Sequence, residues 1–212
     1  MPLEDFDGEC FVAFVDISGF KSLMRRDKAV DALNALYNNG YWQLQNNRNV
    51  CGTFISDCAV LYTIAEEKYM QLNDILDVVK GLNDDVLNQG YMLTTSIAYG
   101  HFLYQNRKEF SGILKNAIYG NAYVDAYLDN EHGKPKLQPG QCRIKKTYVD
   151  ENLLCNLTKR NFLKEKDGYY YFYWNVSNPN QIEEFDREYS DSYNLKYKGM
   201  EEALKKYRYE NR

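Results

Sequence analysis

Apolar residues along this chain follow two spacings, and the alternation between them predicts a mixed sheet packed against helices. The run CFVAFVD (10–16) is short, unbroken and rich in Val and Phe, which is the pattern of a buried strand. From Gly19 to about Asn38 the apolar positions Phe20, Leu23, Met24, Ala29, Leu33 and Leu36 recur at helical spacing, and Asn39-Gly40 predicts the stop. Residues 50–64 hold two β-rich runs, CGTFI and AVLYTI, joined at Ser56-Asp57, which predicts a hairpin. Helical spacing returns over 68–88, with Met70, Leu72, Ile75, Leu76, Val79 and Leu82 on one face. YMLTTSIAYGHFLY (91–104) reads as a long strand whose internal Gly marks a bulge, followed by a polar stretch to about Lys115. A short helix is expected over 120–129, a proline-containing loop over 132–141, and last strands in CRIKKTYV and YYYFYWNV. From Asn180 the chain turns polar, with an amphipathic helix near 199–208. No repeat, linker or composition break divides it. The expectation is one α+β domain over 1–212, with a core of about 10–176 and a polar C-terminal extension over 177–212.

Composition narrows the function classes. The 212 residues carry a net charge of −4, which argues against a nucleic-acid surface, since that needs a basic face. A single nucleotide remains open, because metal ions can neutralise a triphosphate locally. There are 5 cysteines and no C-x-x-C pair, so reduced, buried thiols in a cytoplasmic protein are expected. His101 and His132 are the only histidines, which excludes a multi-histidine metal site. No apolar run is long enough to span a membrane, and MPLEDFDGEC is acidic rather than signal-like. The 20 tyrosines cluster in YYYFYW (169–174), which suits a half-buried sheet and a dimer surface.

Two acids fall where an acid is costly to bury. Asp16 ends the first strand, in FVDISGF, and Asp57 sits at the hairpin tip, in ISDCAVLY. Alone, Asp16 reads as a helix cap and Asp57 as a turn residue. If the first strand lies beside the hairpin, the two carboxylates converge and repel unless a cation lies between them. Hard oxygen ligands facing a phosphate suit Mg²⁺ or Mn²⁺. Ser18, Gly19 and Phe20 would offer backbone N–H groups to phosphate oxygens at a helix start.

FVDISGF, ISDCAVLY and the helix IYGNAYVDAYLDNE (118–131) together resemble the class III nucleotidyl cyclases. The resemblance covers about residues 10–175. It implies a ferredoxin-like, mostly antiparallel sheet flanked by helices, and a head-to-tail homodimer with sites at the interface. It also implies two divalent ions held by Asp16, Asp57 and the Ile17 carbonyl. The departures are specific. The purine-reading positions of that family fall here on Thr53 and Ala117, and its transition-state Asn and Arg fall on Val124 and Leu128. This pattern is similar to the divergent bacterial Pycsar pyrimidine cyclases, matched at Gly120, Ala122, Val124, Ala126 and Tyr127. An acid follows at Asp129 or Glu131, then Arg143-Ile144.

The resemblance implies conversion of UTP or CTP to the cyclic monophosphate, as a second messenger in anti-phage defence acting through a separate effector. Arg143 is then first choice for the missing catalytic cation, against a surface strand cation. Lys164 and Lys166 follow as triphosphate lysines, against a solvated turn. Thr53, Phe54 and Ala117 would line the base pocket, joined by Tyr123 of the partner copy, against dimer packing. Two other readings stay open: a catalytically degenerate binding or scaffolding module on the same fold, and a purine cyclase with unusual base contacts.

Overall fold

The computed structural model describes residues 4–110 and 113–208. The sheet has eight strands: β1 (Phe6–Ile17), β2 (Val50–Ile55), β3 (Cys58–Thr63), β4 (Leu93–Phe110), β5 (Ile113–Tyr119), β6 (Cys142–Lys145), β7 (Leu163–Lys166) and β8 (Tyr169–Phe172). Their order is β2-β3-β1-β4-β6-β8-β7, with β5 pairing the far half of β4. Among the described residues only the β4–β6 pair is parallel. The helices are α1 (Phe20–Met24), α2 (Ala29–Asn46), α3 (Lys68–Asn88), α4 (Asn121–His132), α5 (Glu151–Cys155), α6 (Ile182–Asp191) and α7 (Lys196–Lys206).

Strand alternation in β1 divides the core into two layers. Phe11, Ala13, Val15 and Ile17 join α2 and α3 on one face, in a cluster with Leu36, Leu72, Leu76 and Leu82. Cys10, Val12 and Phe14 join Ala122 and Ala126 of α4 on the other. Asp16 continues this second row, so it emerges at the end of the sheet on the α4 side.

Several expectations change. The helix expected over 19–38 breaks at Arg25–Lys28, where Asp27 takes a left-handed φ of 55°. It then runs through Asn39-Gly40 to Asn46. Packing overrides the stop signal: Gly40 is buried, and a Cβ there would overlap the Phe54 ring. Gly40→Ala is therefore expected to destabilise the fold by about 1–3 kcal/mol, although alanine favours helix, and thermal melting checks this. The polar stretch after residue 104 continues β4, paired with β5 from Leu103↔Tyr119 to Phe110↔Ile113. The register irregularity falls between Lys108 and Phe110, not at Gly100, which is instead closely approached by the Asn121 side chain. Ser111 and Gly112 lie outside the described residues.

The C-terminal extension is no solvated tail. Ile182, Phe185, Tyr189, Met200, Leu204 and Tyr207 are buried against Tyr171, Phe172, Tyr173 and Trp174. That cover corrects the reading of YYYFYW as a dimer surface, because the chain's own helices already occupy it.

Candidate active site

The hairpin tip is clipped to the end of β1. Asp16 pairs in register with Cys58, and the Ile17 N–H donates to the Asp57 carbonyl at 3.0 Å. The chain reverses through Ser56 at φ 54°, and the tip holds Asp57 beside Asp16. Burial pushes the Asp16 carboxyl up to about 7, and the charges of Asp57 and then Glu131 push in the same direction. A carboxyl in this field binds a cation or a proton. Burial, with the charges of Asp16, Asp57 and Glu131, likewise raises the Cys58 thiol to about 11.

Asp16, Ser18 and Gly19 form one bank of an open groove, and Thr94, Asn130, Glu131, Lys136, Leu137, Gln138 and Pro139 form the remainder. Asn130 is fixed by its Nδ2 donating to the Phe14 carbonyl at 3.3 Å and by the Thr94 hydroxyl donating to its Oδ1 at 3.1 Å. Ser18 contributes differently from expectation. Its N–H is taken by the Met92 carbonyl at 2.9 Å, while its buried hydroxyl has no partner in the chain. Gly19 opens α1 with φ 75°, a conformation that favours glycine. Among the described residues, no acceptor in the chain meets the Gly19 or Phe20 N–H. The Phe20 ring itself turns into the core.

The donor set fits hard divalent cations. It combines two carboxylates and the Ile17 carbonyl, all oxygen. Among the described residues no group of three or more His, Cys, Asp or Glu is placed to hold a metal, so substrate and water would complete any coordination shell. The sequence reading offered Glu131 only as an alternative to Asp129 on the helix and missed Lys136 as the groove's cation. Among the described residues, Lys136 is the only basic one on the groove's lining. Its position inside HGKPKLQPGQ carried no periodic or motif signal.

Arg143 does not supply that cation. Its side chain is 0% exposed and forms a two-pronged pair with Asp129, at 2.9 Å from Nε to Oδ2 and 2.9 Å from Nη2 to Oδ1. It also donates to the Pro135 carbonyl and the Tyr171 hydroxyl, and stacks on the Tyr169 ring. Asp129 accepts further bonds from Ser96 and Tyr169. Register explains the burial: Arg143 pairs with Ser96 in the parallel ladder and points under α4. Lys164 and Lys166 are exposed on the edge strand β7, outside the groove, and Lys166 lines a neighbouring cavity together with Lys136.

None of the expected base-pocket residues lines the groove within one chain. Thr53 lies in β2 with its hydroxyl buried and unpartnered. Phe54 faces the opposite layer, wedged between Gly40 and Tyr37, which corrects its assignment to a base pocket. Ala117 sits in β5 opposite Gln105. Tyr123 packs beside Phe14 and Tyr127.

The architecture is that of class III nucleotidyl cyclase catalytic domains. The adenylyl cyclase CyaB from P. aeruginosa superposes with a TM-score of 0.53 at 16% identity, over 80% of this chain and 96% of that one. The guanylyl cyclase domain of RhGC from Catenaria anguillulae, in complex with GTP, gives 0.54 at 15% identity, over 80% and 96%. A bacterial light-regulated adenylyl cyclase gives 0.60 at 14% identity, over 96% of this chain and 58% of that one. No protein-family sequence profile matches the chain, and no curated protein sequence does.

Proposed function

We propose that the chain is a nucleotidyl cyclase that converts a pyrimidine nucleoside triphosphate, UTP or CTP, to its 3′,5′-cyclic monophosphate and pyrophosphate. The observation that carries this reading is Asp16, its carboxyl raised by burial and by Asp57, at the mouth of a cyclase fold. Asp16, Asp57 and the Ile17 carbonyl would hold two Mg²⁺ or Mn²⁺ ions. When bound, the ions supply the charge that lowers the pKa of the ribose 3′-hydroxyl and steadies the leaving pyrophosphate. The chain's own groups do the rest. The Gly19 and Phe20 N–H groups and the Ser18 hydroxyl meet phosphate oxygens, and Lys136 takes the role first assigned to Arg143. Lys136→Ala is expected to raise the KM for nucleotide and lower kcat, together about 10²-fold in kcat/KM, with the melting temperature unchanged. Steady-state kinetics with a parallel melt check this.

The groove is half a site, because it lacks base-contacting residues. Thr53, Ala117 and Tyr123 of a partner copy would complete it in a head-to-tail homodimer. Val124, Tyr127 and Leu128 of α4 and Ile55 at the hairpin tip are exposed apolar groups that such a partner would cover. Thr53 and Ala117 are short and uncharged, which supports a base other than a purine. The reading extends to a cytoplasmic messenger system, in which a separate effector reads cyclic UMP or cyclic CMP during anti-phage defence. No described helix is long and apolar enough to cross a membrane.

Incubating the protein with each of the four nucleoside triphosphates and Mn²⁺ tests the assignment. Release of cyclic UMP or cyclic CMP supports it, and turnover of ATP or GTP alone returns the chain to the purine cyclases. The engagement of Arg143 favours one further reading, a nucleotide-binding module without turnover. Calorimetry showing tight nucleotide binding beside a silent assay would establish that instead.

A further inference from the structure

The two banks of the Asp16 groove share a support that lies outside the strands and helices forming them. Behind the first bank, the Tyr197 hydroxyl of α7 accepts from the Met92 N–H at 3.0 Å, while the Met92 carbonyl accepts from the Ser18 N–H at 2.9 Å. One residue thus couples Tyr197 to Ser18, and the Tyr197 ring is the side chain nearest to Gly19 on its open side, 4.0 Å from a Cβ built there. Behind the second bank, the Tyr189 hydroxyl of α6 donates to the Pro139 carbonyl at 2.5 Å. Leu204 of α7 lies tight against Gly140, whose N–H donates to the Leu93 carbonyl at 2.7 Å.

The second bank needs such support. The 135–141 loop is a single layer between two spaces. Lys136 and Gln138 line both the groove and the cavity behind it, which is walled by Tyr171, Tyr173, Tyr189 and Tyr193. Leu137 and Gly140 are buried, Gly140 tight against Leu204, while hydrogen bonds place the residues of the loop that lie between the two spaces. Those bonds include Tyr189 to Pro139, Trp174 Nε1 to the Gly140 carbonyl at 2.7 Å and Arg143 to the Pro135 carbonyl, beside the Gly140 N–H to Leu93 and the Thr95 N–H to the Gln141 carbonyl at 3.0 Å.

We propose that the C-terminal helices α6 and α7 position the catalytic groove, with Tyr197 holding the Ser18–Gly19 bank and Tyr189 holding the Lys136–Pro139 bank. Tyr189 and Tyr197 are positioning residues, since neither lines the groove beside Asp16. The extension is then the place where docking or displacement of the tail would tune nucleotide affinity without touching the metal acids. This inference rests on the cyclase reading of the groove.

The test compares wild type with Tyr189→Phe, Tyr197→Phe and the double variant, with Leu195→Ser on the exposed side of the extension as a control. Each single variant is expected to raise the KM for the Mn²⁺–nucleotide complex about 3–10-fold with kcat changed less than KM, and the double variant to exceed either. Leu195→Ser leaves both constants unchanged. Hydrogen exchange, which needs no turnover, is read on the same proteins. The Ser18 amide is expected to exchange faster in Tyr197→Phe and the Gly140 amide in Tyr189→Phe, while amides of the β2–β3 hairpin keep their wild-type protection. If wild type turns over nucleotide and the double variant shows an unchanged KM and unchanged exchange at both banks, the positioning role is overturned. If wild type is silent with all four nucleotides, the cyclase reading fails by itself, and the exchange data still decide whether the tail holds the groove. Uniformly faster exchange over the whole sheet would show only a stability effect and overturn the proposal.

Discussion

Asp57→Asn is expected to reduce turnover by at least about 10³-fold while the protein keeps its fold and its oligomeric state. Asp57 sits in a turn, and its carbonyl, not its side chain, clips the hairpin to Ile17. Removing the carboxylate therefore removes a ligand without removing the clip. Asp16→Asn is expected to be equally silent in catalysis but to leave a thermodynamic signature as well. The folded-state carboxyl of Asp16 is raised to about 7, with burial the largest cause. In the metal-free protein its stabilising contribution is full at low pH and is lost as pH rises toward and through 7. At pH 8 Asp16→Asn lacks that penalty and should melt higher than metal-free wild type, by about 1–3 kcal/mol after allowance for partial exposure. Near pH 4 the two should converge. Added Mn²⁺ should raise the melting temperature of wild type and leave Asp16→Asn where it was. Melts of both proteins across pH, with and without Mn²⁺, read all of this without an activity assay. A wild type indifferent to Mn²⁺ would count against the metal acids.

Arg143→Met should behave in the opposite way. It leaves Asp129 charged and buried, so a loss of about 3–5 kcal/mol is expected, equivalent to roughly 10 °C in melting temperature. The double substitution Arg143→Met with Asp129→Leu should recover much of that loss, because removing both partners of a buried pair is far cheaper than removing one. At a temperature where Arg143→Met is still folded, its kcat should lie near wild type. A large fall in kcat with no change in melting temperature would restore Arg143 as the catalytic cation. The guanidinium stays protonated despite its burial: burial works against the charge, and the hydrogen bonds and charge of Asp129, with Tyr171, outweigh it.

Most strands and long helices were legible because their signal is local. The hairpin and α3 lie where the β-rich runs and the helical spacing placed them. The elements that escaped notice are short or overridden. β7 and α5 span too few residues to show a period. Gly40 carries a stop signal that the contact with Phe54 cancels. The extension looked polar because its apolar residues are spaced one helical turn apart among charges, as in Phe185 and Tyr189, and they meet their partners only across the fold.

The site divides along the same line. Sequence alone marked two awkward acids, each at the edge of an apolar strand, and a helix start after the first; the pairing of β1 with β3 brings the two acids together. Only tertiary structure decided which cation faces them. Residue type alone does not tell which of Arg143, Lys136 and Lys166 faces the acids. The parallel pairing of β6 with β4 turns Arg143 under α4 toward Asp129, and the pinned 135–141 loop brings Lys136 to the groove. The sign of a side chain's charge is a property of the residue, but its pKa and the charge it answers are set by long-range packing.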